Sequence, residues 1–295
     1  MTTVGLAPGT ELSGSRPQPR ALIVTLYGLY AREVGGWLGV ATLVRLLGEL
    51  GVDEPAVRSS ISRLKRRGIL EGARVGGAAG YALSDRARAI LDEGDRRIFE
   101  RHRGSLEAGW LLAIFSVPES ERERRHTLRS RLSWLGFGTA ASGVWIAPGH
   151  LDAETRDVLE RYELSAYVDL FRADYLAFGD VRAQVAQWWD LGRLQGLYDE
   201  FLAAFGPIRT RWRRRRSPVD AAAFSDYVRA LTAWRRLPYL DPGLPAEVLP
   251  PSWNGARAAD LFFELHALLA EPAHRHVDGV RHGPDLDRRI PTAGP

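Results

Sequence analysis

An α+β, mainly helical chain is predicted by three observations. Apolar residues recur at helical spacing along most of the 295 residues, one glycine-tipped β-compatible stretch interrupts them near residue 75, and strand-like runs alternate with helical ones between Trp110 and Arg172. The first helix is expected over Ala21 to Glu33, with Leu22, Ile23, Leu26, Leu29 and Tyr30 on one face, and Gly35-Gly36 stops it. Trp37 to Val40 suits only a short strand. Ala41 to Leu50 repeats the helical spacing before Gly51. Asp53 is placed to cap a third helix whose first turn holds Glu54 and Pro55, an acid and a proline being best tolerated there. That helix ends at Gly68. Ile69 to Val75 and Tyr81 to Leu83 read as two strands of a hairpin with Gly76 to Gly80 as its tip, and Ser84-Asp85 then caps a charged helix to about Arg103.

Helix, helix, helix, hairpin is the layout of a winged helix-turn-helix, so residues 20–104 are expected to form a DNA-binding domain after a flexible tail over 1–19. From Trp110 the pattern is strand (Leu111 to Val117), helix (Glu119 to Leu135), strand (Ala140 to Ala147), helix (Asp152 to Glu163) and strand (Ala166 to Arg172), which predicts a ferredoxin-like central α/β domain over 105–178. Residues 179–271 read as a helical C-terminal domain. Its helices are expected at Asp180 to Asp190, Leu191 to Phe205, Asp220 to Leu237 and Ala256 to Leu269, interrupted by the proline-rich Leu237 to Pro251. From Glu271 the end looks frayed, giving a flexible tail over 272–295.

Composition excludes several chemistries. The chain has no cysteine, which rules out disulfides, thiolate metal sites and cysteine nucleophiles. The longest apolar candidate, Ala21 to Ala31, falls short of the roughly 18 residues a membrane helix needs. A soluble cytoplasmic protein without membrane contact is expected. The 40 Lys+Arg against 36 Asp+Glu are unevenly placed, since residues 1–104 hold 16 basic and 11 acidic side chains and therefore the basic excess. There is no Gly-x-Ser-x-Gly elbow, P-loop or paired His-Glu metal motif, so no catalytic residue, metal or cofactor is expected. His274 and His276 sit in the expected frayed tail without partners at metal spacing.

Plotted at about 100° per residue, the third helix sends Val57, Ile61 and Leu64 to one side and Ser59, Ser62, Arg63 and Arg66 to the other, with Arg58 and Lys65 on a flank. Small hydroxyl residues beside arginines let a helix descend into a major groove, where arginine reads guanine and serine meets bases or phosphate. A solvated amphipathic helix has the same pattern, but the preceding helices and following hairpin favour DNA. Arg74, near the hairpin tip, is expected to position phosphate.

Thr25-Leu26-Tyr27-Gly28, Gly36-Trp37-Leu38-Gly39, Val57-Arg58 with Ser62-Arg63-Leu64, and Tyr81-Ala82-Leu83-Ser84 resemble the winged-helix region of the PaaX family of phenylacetate-degradation repressors. Leu135-Gly136-Phe137-Gly138, Tyr198-Asp199-Glu200-Phe201, Trp234-Arg235-Arg236 and Asp241-Pro242-Gly243-Leu244-Pro245-Ala246-Glu247-Val248-Leu249-Pro250 with Trp253 extend the resemblance to about Gly255. It implies a homodimeric repressor of aromatic-acid catabolic genes that binds double-stranded DNA at an inverted-repeat operator. An aryl-CoA thioester, typically phenylacetyl-CoA, is the implied releasing effector. The family's wing tip is often basic, whereas Gly76 to Gly80 is neutral. Trp188, Trp189, Tyr198, Trp234 and Tyr239 are candidates for an aryl pocket, and Arg213 and Arg214, in the run Arg211 to Arg216, for CoA phosphates. The alternatives are a metal-dependent nuclease, because the central domain resembles the small subunit of CRISPR adaptation nucleases, and an assembly module that has lost DNA binding. A nuclease needs a metal-binding carboxylate on the first central strand, and Leu111 to Val117 supplies none.

Overall fold

Pro19 opens the first helix of the computed structural model, which describes residues 18–100, 103–176, 178–217 and 219–283; a proline costs nothing at a position where no intrahelical donor is needed. α1 (Pro19–Leu26) continues through a π-helical turn (Tyr27–Ala31) and a 3-10 turn to Val34, and ends where Gly35 turns left-handed at φ 83°. There follow β1 (Trp37–Gly39), α2 (Val40–Glu49), α3 (Glu54–Arg66), β2 (Leu70–Val75), β3 (Ala78–Leu83) and α4 (Asp85–Phe99). The middle of the chain holds β4 (Trp110–Phe115), α5 (Arg122–Trp134), β5 (Gly138–Ala141), β6 (Val144–Pro148), α6 (Asp152–Arg161) and β7 (Val168–Ala173). Helices dominate the remainder, with α7 (Val181–Trp188), α8 (Leu191–Arg213), α9 (Asp220–Trp234), the four-residue α10 (Leu237–Leu240) and α11 (Gly255–His282). The fold is α+β and mainly helical, with two small antiparallel sheets.

The chain forms two compact units. One comprises Met1–Phe99, Phe201–Trp234 and Ala259–Pro295, the other Glu100–Glu200 and Arg235–Ala258. In the first unit, Leu22, Ile23, Leu26 and Tyr27 of α1, Leu43, Leu46 and Leu47 of α2, and Val57, Ile61 and Leu64 of α3 are buried together with Phe224, Tyr227, Val228 and Leu231 of α9 and Phe262 and Leu265 of α11. Each such side chain contributes about 1.5–3 kcal/mol. Polar contacts fix the register of the buried helices. Thr25 and Thr232 share a hydroxyl hydrogen bond of 2.8 Å, Arg229 Nη2 donates to the Leu50 carbonyl at 3.2 Å, and the Tyr227 hydroxyl meets His266 Nδ1 at 2.6 Å. Burial, helped by His274, pushes His266 below its usual pKa, so its ring stays neutral at neutral pH.

The first unit's sheet has the order β1-β3-β2. Gly76 and Gly77 both have positive φ, 57° and 84°, and join β2 to β3 as a two-residue turn, so the strands pair out to Val75 and Ala78. The expected tip of Gly76 to Gly80 is therefore too long. Residues 78 to 80 pair in the ladder, and Gly80 sits where a Cβ would lie 2.4 Å from the Trp37 ring and 2.5 Å from the Leu38 carbonyl oxygen.

The second unit carries a sheet of order β5-β6-β4-β7, antiparallel throughout. Leu111, Ala113, Trp145 and Ala147 pack on one face with Leu128 and Leu132 of α5 and Val158 and Leu159 of α6. Trp110 and Ile146 lie in a second cluster with Val185, Leu191, Leu244, Val248 and Leu249. The single strand expected over Ala140 to Ala147 is two, because Gly143, at φ 78°, reverses the chain between β5 and β6.

Two helices run longer than expected. Pro207 suggests a stop, yet α8 continues to Arg213, held by buried Trp212 and the ion pairs of Arg209, Arg211 and Arg213. α11 passes Pro272 and reaches His282, since Ala273, Val277 and Val280 keep its apolar face buried. Residues 272–282 are thus helix rather than frayed tail; of the tails expected over 1–19 and 272–295, residues 1–17 and 284–295 lie outside the described residues. Both tail histidines also have carboxylate neighbours. His276 Nε2 lies 2.6 Å from Glu49 Oε2, and His274 Nε2 lies 3.8 Å from Glu33 Oε2.

Candidate nucleic-acid interface

Asp53 begins α3 as expected, its Oδ1 accepting from the Ala56 amide at 2.7 Å, a cap worth about 1 kcal/mol. Val57, Ser60, Ile61 and Leu64 turn inward. With that side sunk in the core, Arg58, Ser59, Ser62, Arg63, Lys65 and Arg66 are all exposed, the outward face the wheel anticipates. Ser59 and Ser62 share that face with Arg63 and Arg66, while Arg58 and Lys65 flank it.

These cations are held differently. Arg58 is tied back to Glu54, Nε to Oε1 at 2.8 Å and Nη2 to Oε1 at 2.5 Å. Lys65 Nζ lies 5.6 Å from the centre of the Tyr81 ring, where a cation gains from the aromatic face. Arg63 and Arg66 have no acidic partner among the described residues. Arg67, at the C-terminal end of α3, is equally exposed, although it is not among the residues singled out on the wheel. Arg74 is exposed on β2 and donates through Nη1 to the Gly77 carbonyl at 3.3 Å, which folds it toward its own turn.

The hairpin is braced against the helices. The Tyr27 hydroxyl donates to the Tyr81 carbonyl at 2.9 Å, Ser84 Oγ donates to the Gly68 carbonyl at 2.7 Å, and Trp37 Nε1 reaches the Ala73 carbonyl at 3.3 Å. Burial, followed by the neighbouring Tyr81, holds the Tyr27 phenol far above its usual pKa, so it remains a donor at every physiological pH.

The seven candidate effector residues divide between the two units. Trp188 and Trp189 join Trp110 in an aromatic cluster of the second unit, at centroid distances of 5.6 and 6.1 Å, and Trp189 Nε1 donates to the Gly136 carbonyl at 2.9 Å. Tyr239 lies against Trp134 in the same unit. Tyr198 donates to Asp241 Oδ2 at 2.6 Å, and burial with that carboxylate raises its pKa well above the usual. Trp234 belongs to the first unit, stacked at 4.9 Å on Phe262, with Nε1 donating to the Ile98 carbonyl at 3.0 Å. Arg213 pairs with Glu264, whereas Arg214 is exposed without an acidic partner among the described residues. The Asp241 to Pro250 segment braces the second unit: Asp241 also accepts from the Gly243 amide at 2.8 Å, and Leu244, Val248 and Leu249 are buried. Among the described residues, no three histidines or carboxylates come together as a metal site, and no helix is long and apolar enough to cross a membrane.

A solved but uncharacterised protein of Mycobacterium tuberculosis shares the fold, with a TM-score of 0.59, 24% identity and coverage of 90% of this chain and 100% of that one. The transcriptional repressor PaaX of Escherichia coli (strain K12) is 28% identical over 260 residues, 86% of this chain and 81% of the relative. Three family models match in chain order: the PaaX-like protein model over residues 18–87, the PaaX protein central Cas2-like domain over 103–185 and the PaaX-like protein C-terminal domain over 189–279. Matched from its first helix to its last, the chain belongs to the PaaX family.

Proposed function

We propose that this protein is a transcriptional repressor that binds duplex DNA by laying α3 in the major groove, with the β2–β3 hairpin as a wing against the backbone. The observation that carries this is the outward face of α3, where Arg63 and Arg66 stand exposed without acidic partners among the described residues on a helix whose other side is buried. An arginine fork left without a carboxylate suits the O6 and N7 edge of guanine or a phosphate. The name of the Escherichia coli relative supports the regulatory part. PaaX-family proteins are transcriptional repressors and not enzymes, which removes the nuclease alternative. A repressor's role supports the expected cytoplasmic location.

Three helices followed by a hairpin support a winged helix-turn-helix over 20–104, and the order β5-β6-β4-β7 supports a ferredoxin-like reading of 105–178, followed by a helical segment over 179–271. Two copies would set their α3 helices about one duplex turn apart on an inverted repeat. An aryl-CoA thioester such as phenylacetyl-CoA is the proposed effector, its aryl group drawn to Trp188, Trp189 and Tyr239. It must bind the released geometry more tightly by about 1.4 kcal/mol for every tenfold loss of operator affinity.

A gel shift with the DNA upstream of the chain's own gene, titrated with phenylacetyl-CoA and other acyl-CoAs, tests binding and release together. A retarded band that the thioester abolishes is expected. A chain that ignores every duplex at low ionic strength is an assembly module instead. Arg74→Ala is expected to weaken all duplexes evenly and to lower the magnitude of the slope of log K against log salt by about 0.9; a loss confined to one sequence would make Arg74 a base reader.

A further inference from the structure

The arginine run that ends α8 takes no part in the α3 interface, and its six residues divide sharply. Arg211 is paired with Asp226, and Trp212 Nε1 donates to the same carboxylate at 2.7 Å. Arg213 is paired with Glu264, which Arg209 also approaches at 3.5 Å. Asp220, the first residue of α9, is held by Arg275 at 3.0 Å. The carboxylates around the run are therefore committed. Arg214, Arg215 and Arg216 lie beyond the last helical residue, exposed, with no acidic partner among the described residues. Arg215 is nevertheless fixed in place, its guanidinium 4.7 Å from the centre of the ring of Trp212, which is buried.

Cations are common at helix C-termini because they complement the partial negative charge there. Arg211 and Arg213, already in the last turn, meet that need. Three further like charges on one bend repel one another without a compensating acid among the described residues, and such a cluster suits a polyanion.

The bend belongs to the same compact unit as α3. Just beyond it, Asp220 is fixed to Arg275, and the next residue of α11, His276, contacts Glu49 at the end of α2. Nine residues along α9, about 13 Å of helix, Arg229 binds the Leu50 carbonyl in the turn that leads into α3. The run thus feeds into α9 beside the α2–α3 corner.

We propose that Arg214, Arg215 and Arg216 form a second phosphate-binding surface, which grips the backbone of the same duplex outside the segment read by α3. Exposure on a bend suits an extended backbone better than a small acyl-CoA, which a pocket would enclose. The inference rests on the DNA-binding role proposed above.

The test compares the full-length chain with R214A/R215A/R216A and with the corresponding triple lysine variant, on a long duplex and on one trimmed to the segment α3 protects. On the long duplex the alanine variant is expected to lower the magnitude of the log K against log salt slope by up to about 3, for cognate and unrelated sequence alike, while the lysine variant keeps most of it. On the trimmed duplex the variants are expected to match the parent. Equal slopes on the long duplex overturn the second surface, and unchanged DNA affinity with lost release by phenylacetyl-CoA overturns it in favour of the thioester's phosphates. Failure of the parent chain to bind any duplex is a different result, which sinks the DNA-binding role and this surface with it.

Discussion

Arg63→Ala and Arg66→Ala are each expected to cost about 1–3 kcal/mol of operator affinity where the arginine reads a guanine, with relaxed preference at that base pair. Among the described residues neither has an acidic partner to lose, so the fold should tolerate both changes. Arg58 is the internal control. It is bound to Glu54, and freeing it for DNA requires giving up that pair, so Arg58→Ala should cost less than either. The measurement is a salt-controlled titration against a panel of single-base operator variants. Unchanged affinity and unchanged base preference in both arginine variants would mean that another surface meets the duplex.

The largest effect on stability is expected from Phe262→Ala, at about 3–5 kcal/mol. Phe262 is fully buried, stacked on Trp234 at 4.9 Å and 11°, with Phe99 of α4 at 6.2 Å and Phe263 at 5.3 Å. Rings from α4, α9 and α11 close around it, so neighbouring side chains cannot collapse into the gap without dragging helices that other contacts hold. A loss of that size approaches the whole stability of many domains, about 5–15 kcal/mol. Urea unfolding followed by tryptophan fluorescence should show it, because Trp234 is the stacking partner. A change below about 1 kcal/mol would mean that the core around α11 relaxes freely.

The sequence was most readable where one local rule acted alone. Asp53 with Pro55 marks the start of α3, and the separation of Val57, Ile61 and Leu64 from Ser59, Ser62, Arg63 and Arg66 follows from helical periodicity. It was least readable where tertiary packing overrides a local signal. Helices expected to end at Phe205 and Leu269 run on past Pro207 and Pro272, each of which removes a backbone donor, because buried Trp212 and Val277 carry them. Gly143 failed in the opposite sense: a single left-handed glycine inside an apolar stretch left no periodic trace of the hairpin it makes. The aromatic and arginine candidates for the effector carry no sequence signal of their partners, which only the fold supplies. Trp234 is taken up by Phe262, Tyr198 by Asp241 and Arg213 by Glu264, while the Trp188–Trp189 pair forms a cluster of its own with Trp110.

The hydrogen bond between Thr25 and Thr232 joins residues 207 positions apart, and it sits in a core to which the first and last helices both contribute. Such a module cannot mature while the chain is still being synthesised. Until α9 has left the ribosome, the nascent α1 has only α2 and α3 to pack against, and the part of the core that α9 and α11 complete stays open. A copy that stops before α9 therefore exposes apolar surface of α1 that the full chain buries.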